Sequence, residues 1–309
     1  MSLVYGKIAG SRMRGGIMAR APLPVICVGN FTVGGSGKTP LALAVAKAAK
    51  AYGFKPGFIT RGYGGTVKQT RLANEDDTFA TIGDEAVLLA RAAPVAIGAN
   101  RLAGAKLLAE AGCTIAIMDD GFQSRTIAID HALVAVDARR GIGNGYVIPS
   151  GPLRAPLSVQ LPFADQIVVV GEGEGGDNIV RTASRAGKPV ARATLKPANI
   201  GKVKGKNVFA FAGIADPEKF YATLRGIGAN IVQTRSFPDH HAFSPAEMQS
   251  ILNDAGDLLL VTTEKDAVRI SGLTALEEKV VTILVQVQIQ DDSVMKRAFD
   301  GAVKKFKSA

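Results

Sequence analysis

The chain contains no tryptophan, and aromatic residues make up only 6% of it. Single-stranded nucleic acid is held by stacking bases on aromatic side chains set among basic ones, so a nucleic-acid platform is not expected. Cysteine is equally scarce. Cys27 and Cys113 both lie in apolar, strand-like runs. They read as buried free thiols suited to a reducing compartment, and they give no disulfide or thiolate-metal signal. Histidine occurs three times, at His131, His240 and His241, with no accompanying ligand set for a metal cage. No apolar run approaches the ~18–20 residues that span a bilayer, and no signal-peptide core followed by a small-residue cleavage site is apparent.

Acidic residues are missing from one end. None precedes Glu75, while residues 1–74 carry eleven Lys or Arg. The other 235 residues hold 26 basic and 27 acidic side chains, so the net charge of +10 belongs to the N-terminal quarter. A second anionic partner beside a nucleotide is expected there: nucleic acid, anionic lipid or a phosphorylated substrate. Residues 1–24 set Leu3, Val4, Tyr5, Ile8, Met13, Ile17 and Met18 beside Lys7, Arg12, Arg14 and Arg20. A membrane-surface helix has this composition, and so has a first helix packed on the protein. Gly6, Gly10, Gly15 and Gly16 weaken any helix here, and the two readings stay open.

What the chain does have is apolar content, 47% against 21% charged residues, which marks a compact globular protein. Its 309 residues suffice for one large or two ordinary domains. The apolar run Val25-Ile26-Cys27-Val28 leads into Thr32-Val33-Gly34-Gly35-Ser36-Gly37-Lys38-Thr39, and a helical pattern follows from Leu41. Strand, glycine-rich turn and helix N-terminus are the parts that hold nucleotide phosphates. Lys38 can reach the β and γ phosphates, and the Thr39 hydroxyl can ligate Mg2+. Thr32 stands where the usual pattern has glycine.

Further buried strands are expected at 56–60, 95–97, 114–118, 132–136 and 166–170, with helices between them. That alternation predicts an α/β fold: a P-loop NTPase core whose largely parallel sheet is covered by helices on both faces. Functional groups then belong at the carboxyl ends of the strands, where Asn30, Thr60, Asp119 and Asp137 fall. Residues 171–206 read as connections or hairpin edges. Strands near 208–214, 230–234, 258–262 and 280–285, with helices at 217–224, 245–255 and 292–306, make a smaller C-terminal α/β domain. The expected division is a basic segment at 1–24, a P-loop core at 25–195 and the smaller domain at 196–309.

Asp119-Asp120, at the end of an apolar strand, is placed to hold the nucleotide's Mg2+ opposite Thr39, and strand-end acids also cap turns. Asp84-Glu85 at a predicted helix start reads equally well as a dipole-offsetting cap. Asp239-His240-His241 lies on a loop, where a histidine can orient or exchange a proton. Arg154, held between Pro152 and Pro156, can clamp an anion or stiffen a crossover.

Taken in order, these segments resemble the tetraacyldisaccharide 4′-kinase (lipid A 4′-kinase) family. The resemblance rests on residues 28–40, Thr60-Arg61-Gly62-Tyr63-Gly64, Gly83-Asp84-Glu85-Ala86 and Met118-Asp119-Asp120-Gly121-Phe122-Gln123. It continues through Gly151-Pro152-Leu153-Arg154, Phe237-Pro238-Asp239-His240 and Thr262-Thr263-Glu264-Lys265-Asp266. The family's loop also has Thr in place of the first glycine. The resemblance implies ATP- and Mg2+-dependent phosphorylation of the 4′-hydroxyl of a tetraacylated glucosamine disaccharide 1-phosphate. It places the enzyme peripherally at the cytoplasmic face of the bacterial inner membrane, with the smaller domain closing over the nucleotide. It implies phosphate binding by 32–39 with Lys38, and Mg2+ at Thr39 and Asp119, with Asp120 and Glu85 in the same acidic cluster. Asp84 is implied as the base with His240 as its partner, and Arg61, Tyr63 and Arg154 as substrate contacts. Family members usually carry a longer apolar and basic leader, so membrane attachment that is weaker, or shared with other surface, is expected here. The alternative is a P-loop ATPase or GTPase switch, or a partitioning protein, with no lipid acceptor.

Overall fold

The structure is a computed structural model that describes residues 2–15, 18–273 and 279–309. Apolar runs too short for helices and hydrophobic on both sides must be covered on both faces, and all the N-terminal strands except the third and the eighth are buried throughout. They are β1 (Val25–Asn30), β2 (Pro56–Thr60), β3 (Arg71–Leu72), β4 (Val95–Ile97), β5 (Ile115–Asp119), β6 (His131–Asp137), β7 (Gln166–Val170) and β8 (Val190–Pro197). The second group is β9 (Asn207–Ala212), β10 (Asn230–Ser236), β11 (Leu259–Thr263), β12 (Val280–Ile283) and β13 (Val285–Ile289). The larger sheet has the order β13-β8-β7-β6-β1-β5-β2-β4-β3. It is parallel except at its edges, where β13 runs against β8 and β3 against β4. The smaller sheet, β10-β9-β11-β12, is parallel throughout.

The helices of the first part are α1 (Ser2–Arg14), α2 (Lys38–Ala51), α3 (Phe79–Ile82), α4 (Asp84–Ala90), α5 (Arg101–Glu110), α6 (Leu157–Gln160) and α7 (Asp177–Arg185). Those of the second are α8 (Pro217–Gly226), α9 (Pro245–Ala255), α10 (Glu264–Ile270) and α11 (Ser293–Lys307). Along β1, Val25 and Cys27 join a core shared with Met118 and Phe122, while Ile26 and Val28 face Leu41, Val45 and Phe299 of α2 and α11. Both cysteines are buried free thiols, and burial pushes Cys27 up to about 12.

Two expectations about organisation are corrected. Residues 171–206 are more than connections, because α7 buries Ile179 and Ala183 and β8 pairs in parallel with β7. Nor does the second unit run unbroken from 196 to 309. The strand expected at 280–285 ends at Ile283 as β12 of the small sheet, and Val285 opens β13 of the large one. Val287, Ile289 and the buried face of α11 then pack onto the core beneath the phosphate loop. The second unit therefore comprises roughly residues 198–284, inserted between two strands of the core.

Residues Ser2–Arg14 form α1 despite Gly6 and Gly10. Gly6 and Gly10 are buried against Pro156, Val147 and Val159, while Tyr5 and Ile8 are exposed. Of the apolar residues read from the sequence here, Ile17 and the side chains of Leu3 and Val4 lie outside the described residues. No helix among the described residues is long and apolar enough to cross a membrane.

Candidate active site

Strand β1 delivers the chain to a turn that must leave backbone N–H groups free for an anion. Gly34 and Gly37 have φ of +96° and +78°, and Gly37 immediately precedes α2. A glycine there lets the chain enter the helix from the left-handed region, so the first-turn N–H groups face the loop's hollow. Lys38 and Thr39 are the first residues of that helix. Thr32 needs no glycine-like conformation, because it forms an antiparallel bridge with Leu153. The amide of Val33 donates to Pro152 O (2.8 Å), that of Arg154 to Phe31 O (2.9 Å), and the Arg154 side chain to Thr32 O (3.1 Å). The departure from the usual pattern thus has a structural cause: the loop's first residue is braced by the 152–154 segment.

The two aspartates after β5 have different surroundings. Asp120, at φ +52°, is gripped by Arg154 with two 3.0 Å contacts, and Lys38 stands 3.8 Å away. Asp119 is 2% exposed and accepts a 3.2 Å bond from the Thr39 hydroxyl, and its Oδ1 is buried without a hydrogen-bond partner among the described residues. Burial, with Glu85 adding to it and Lys38 opposing, pushes the Asp119 carboxyl up to about 7. The buried Ser36 hydroxyl and the Asn30 carboxamide are also unpartnered there. A hydroxyl beside a carboxylate with an open oxygen fits Mg2+, which binds through one or two protein oxygens and completes its shell with phosphate and water.

Across this hollow, α4 begins at Asp84. Gly83 has φ +85°, and a Cβ on it would meet Tyr63 O at 2.2 Å. The glycine therefore lets the helix start directly against the 61–65 loop. Asp84 is 3% exposed, and its Oδ2 accepts from Arg269 Nε (2.9 Å) and from a second Arg269 nitrogen, with His240 Nδ1 at 3.3 Å. Burial alone would raise its pKa, but Arg269, Lys265 and His240 outweigh it and hold the carboxyl below its ordinary range. Glu85 is paired with Lys265 at 2.6 Å. His240 has φ +60° and donates its backbone N–H to Gly213 O (3.2 Å) and Asp239 Oδ1 (3.0 Å).

The structure thus brings Lys38, Thr39, Asp119 and Asp120 together at the phosphate loop, and Asp84 and His240 together from different units. Tyr63 is 75% exposed with its ring 5.5 Å from His240, and Arg61 is exposed at the same loop. Arg154 is committed to Asp120 and Thr32, which places it in the phosphate-loop bracket. His241 is separated from its neighbour: it contacts Glu247 Oε1 at 3.0 Å and stacks on Phe237. Arg269 and Arg101 escape the sequence reading. Arg101 is 3% exposed and donates to Asp120 O at 3.3 Å. No local pattern distinguishes a buried arginine from a solvated one.

A model of the family described as tetraacyldisaccharide-1-P 4′-kinase matches residues 1–304. A tetraacyldisaccharide 4′-kinase of Agrobacterium fabrum is 52% identical over 274 residues, covering 88% of this chain and 79% of that protein. Another, from Rhizobium leguminosarum bv. trifolii, is 48% identical over 310 residues, covering 98% and 87%. The crystal structure of LpxK from Aquifex aeolicus in complex with ATP matches with a TM-score of 0.78 at 25% identity, covering 97% of each chain.

Proposed function

The chain belongs to the tetraacyldisaccharide 4′-kinase family, and from that premise we propose how its residues divide the work of a lipid A 4′-kinase. The reaction moves the γ-phosphoryl group of ATP to the 4′-hydroxyl of a tetraacylated disaccharide 1-phosphate. An O–P bond forms at the sugar, the bond to the β–γ bridging oxygen breaks, and ADP leaves. Catalysis of this kind is mostly alignment and charge neutralisation. Backbone N–H groups of 33–38 and the Lys38 ammonium hold the transferring phosphates. Thr39 and Asp119 would hold Mg2+, with Asp120 beside them braced by Arg154. When bound, the ion would neutralise charge building on the phosphate oxygens.

Asp84 takes the proton of the sugar hydroxyl late in transfer, and His240 orients it. The observation that carries this reading is the 3.3 Å contact between the buried Asp84 of the core and His240 of the second unit. A base completed by a residue from another unit limits attack by water until the cleft is closed. Tyr63 and Arg61 border the acceptor's entry.

The test is transfer of label from γ-labelled ATP to the lipid acceptor in detergent, with and without Mg2+. Label in the lipid supports the reading; release only as inorganic phosphate sinks it in favour of a nucleotide-hydrolysing switch.

We also propose that α1, whose exposed Tyr5 and Ile8 lie among Lys7, Arg12 and Arg14, meets the cytoplasmic face of the inner membrane. Binding to vesicles containing anionic lipid is expected to weaken as salt rises, because screening shortens the reach of such charges. Equal partitioning to neutral vesicles at low salt would remove charge from the account.

A further inference from the structure

Two deeply buried arginines among the described residues, Arg101 and Arg269, have no part in the roles above, and Arg269 is the one that touches the proposed base. Arg269, on α10, is 1% exposed. Taking a guanidinium out of water is offset only by close anionic or carbonyl partners, and the partners here are specific. Arg269 bonds Asp84 Oδ2 through Nε (2.9 Å) and a second nitrogen, and through NH1 it reaches Asp266 Oδ1 (2.8 Å) and Gly213 O (2.5 Å). The same Gly213 carbonyl accepts the backbone N–H of His240 at 3.2 Å, and Arg269 also lies 3.4 Å from His240 Nδ1.

One planar group therefore touches the carboxylate of Asp84, the ring of His240 and the carbonyl that fixes His240's backbone. That backbone needs fixing, since φ of +60° is uncommon outside glycine. The guanidinium is itself fixed, because Asp266 accepts from the Thr263 hydroxyl (2.7 Å) and from Gly213 N (3.1 Å). An ion pair serving stability alone needs one carboxylate. This arrangement instead ties α4 of the core to α10, the turn after β9 and the 237–243 loop of the second unit.

We propose that Arg269 is a positioning residue for phosphoryl transfer, setting Asp84 and His240 relative to each other when the second unit seats on the core. The proposal rests on the assignment of Asp84 and His240 made above. A lysine at this place would keep the charge but not the planar fork.

The experiment compares Arg269→Gln, Arg269→Lys, Asp84→Asn and the Arg269→Gln/Asp84→Asn double variant in ATP-to-lipid transfer, with ATP binding measured separately. Misplacing a reacting group by about 1 Å costs on the order of 100-fold, so Arg269→Gln is expected to lower kcat by roughly that factor. KM and Kd for ATP should stay within about threefold, since the phosphate loop is untouched. Arg269→Lys should fall between Arg269→Gln and the wild type, because it keeps the cation but loses the fork that bridges Asp84, Asp266 and Gly213 O. The double variant should be less than about threefold slower than Asp84→Asn, because a loss transmitted through one base is not incurred twice.

Arg269→Gln at near-wild-type kcat, or a double variant showing the full product of the single losses, overturns the proposal. If Arg269→Gln does not fold, Arg269→Lys alone and combined with Asp84→Asn carries the same comparisons. Asp84→Asn at wild-type rate would sink the base assignment and this proposal together. An inactive Asp84→Asn beside an active Arg269→Gln would sink this proposal only.

Discussion

Asp84 and Asp119 are both buried carboxylates, and their surroundings push them in opposite directions. Burial acts on each, but Arg269, Lys265 and His240 overcome it at Asp84, while Asp119 is carried up to about 7 with only Lys38 and Thr39 opposing. Such separation suits the different tasks proposed for them: acceptance of the sugar proton at Asp84 and cation binding at Asp119. Removing proton-accepting power at Asp84 (Asp84→Asn), or its orienting partner (His240→Ala), should cost roughly 10²–10⁴-fold in kcat with ATP affinity kept. His241→Gln should leave turnover unchanged. Steady-state transfer rates with a parallel nucleotide-binding titration decide this, and a His240→Ala enzyme as fast as the wild type removes His240 from the mechanism. Much of this site was readable in advance, because Lys38, Thr39 and Asp119 are fixed by local pattern next to a strand. The choice of His240 over His241 came from the family resemblance and not from local pattern, since it depends on which ring faces Asp84 across the chain. Arg269 was hidden for the same reason, its partners being 185 residues away at Asp84 and 56 at Gly213.

At the level of elements, the strands and helices followed from hydrophobic periodicity, and their partners did not always. No turn residue interrupts 280–289, yet the small sheet takes its first part and the large sheet its second. Periodicity reports that a strand has a buried face without reporting which sheet buries it. The same limit applies to α11. Its Phe299 is 1% exposed, packed near the rings of Tyr52 and Phe54 at 5.3 and 5.5 Å, at the far end of the helix that begins with Lys38. Truncating a buried phenylalanine typically costs about 3–5 kcal/mol. Phe299→Ala should therefore lower stability by an amount in that range, read as a shift in the urea midpoint. A shift near zero would mean that α11 is not part of the core. In the phosphate loop, the brace from 152–154 accounts for Thr32 in place of glycine, a feature that the sequence displayed without its cause.

Over the whole molecule, the second unit leaves the core after β8 and returns to it at β13, and it meets the core again through Arg269–Asp84 and Lys265–Glu85. A further contact lies at the carboxyl end of β6, where Lys219 bonds Asp137 at 2.9 Å and Arg139 and Arg140 both bond Asp216. Two chain crossings and these two sets of ion pairs confine how the cleft can open, and Asp84 and His240 reach into it from different units. That layout suits a reaction in which ATP must be protected from water until a lipid hydroxyl is in place. The measurement that bears most directly on this account is the fate of the γ-phosphoryl group: label from ATP, followed in one reaction into lipid and into inorganic phosphate. The account predicts that the wild-type protein sends label to the 4′ position of the tetraacyldisaccharide 1-phosphate and that Asp84→Asn sends almost none. Label appearing only as inorganic phosphate, with the acceptor present and unmodified, would contradict it.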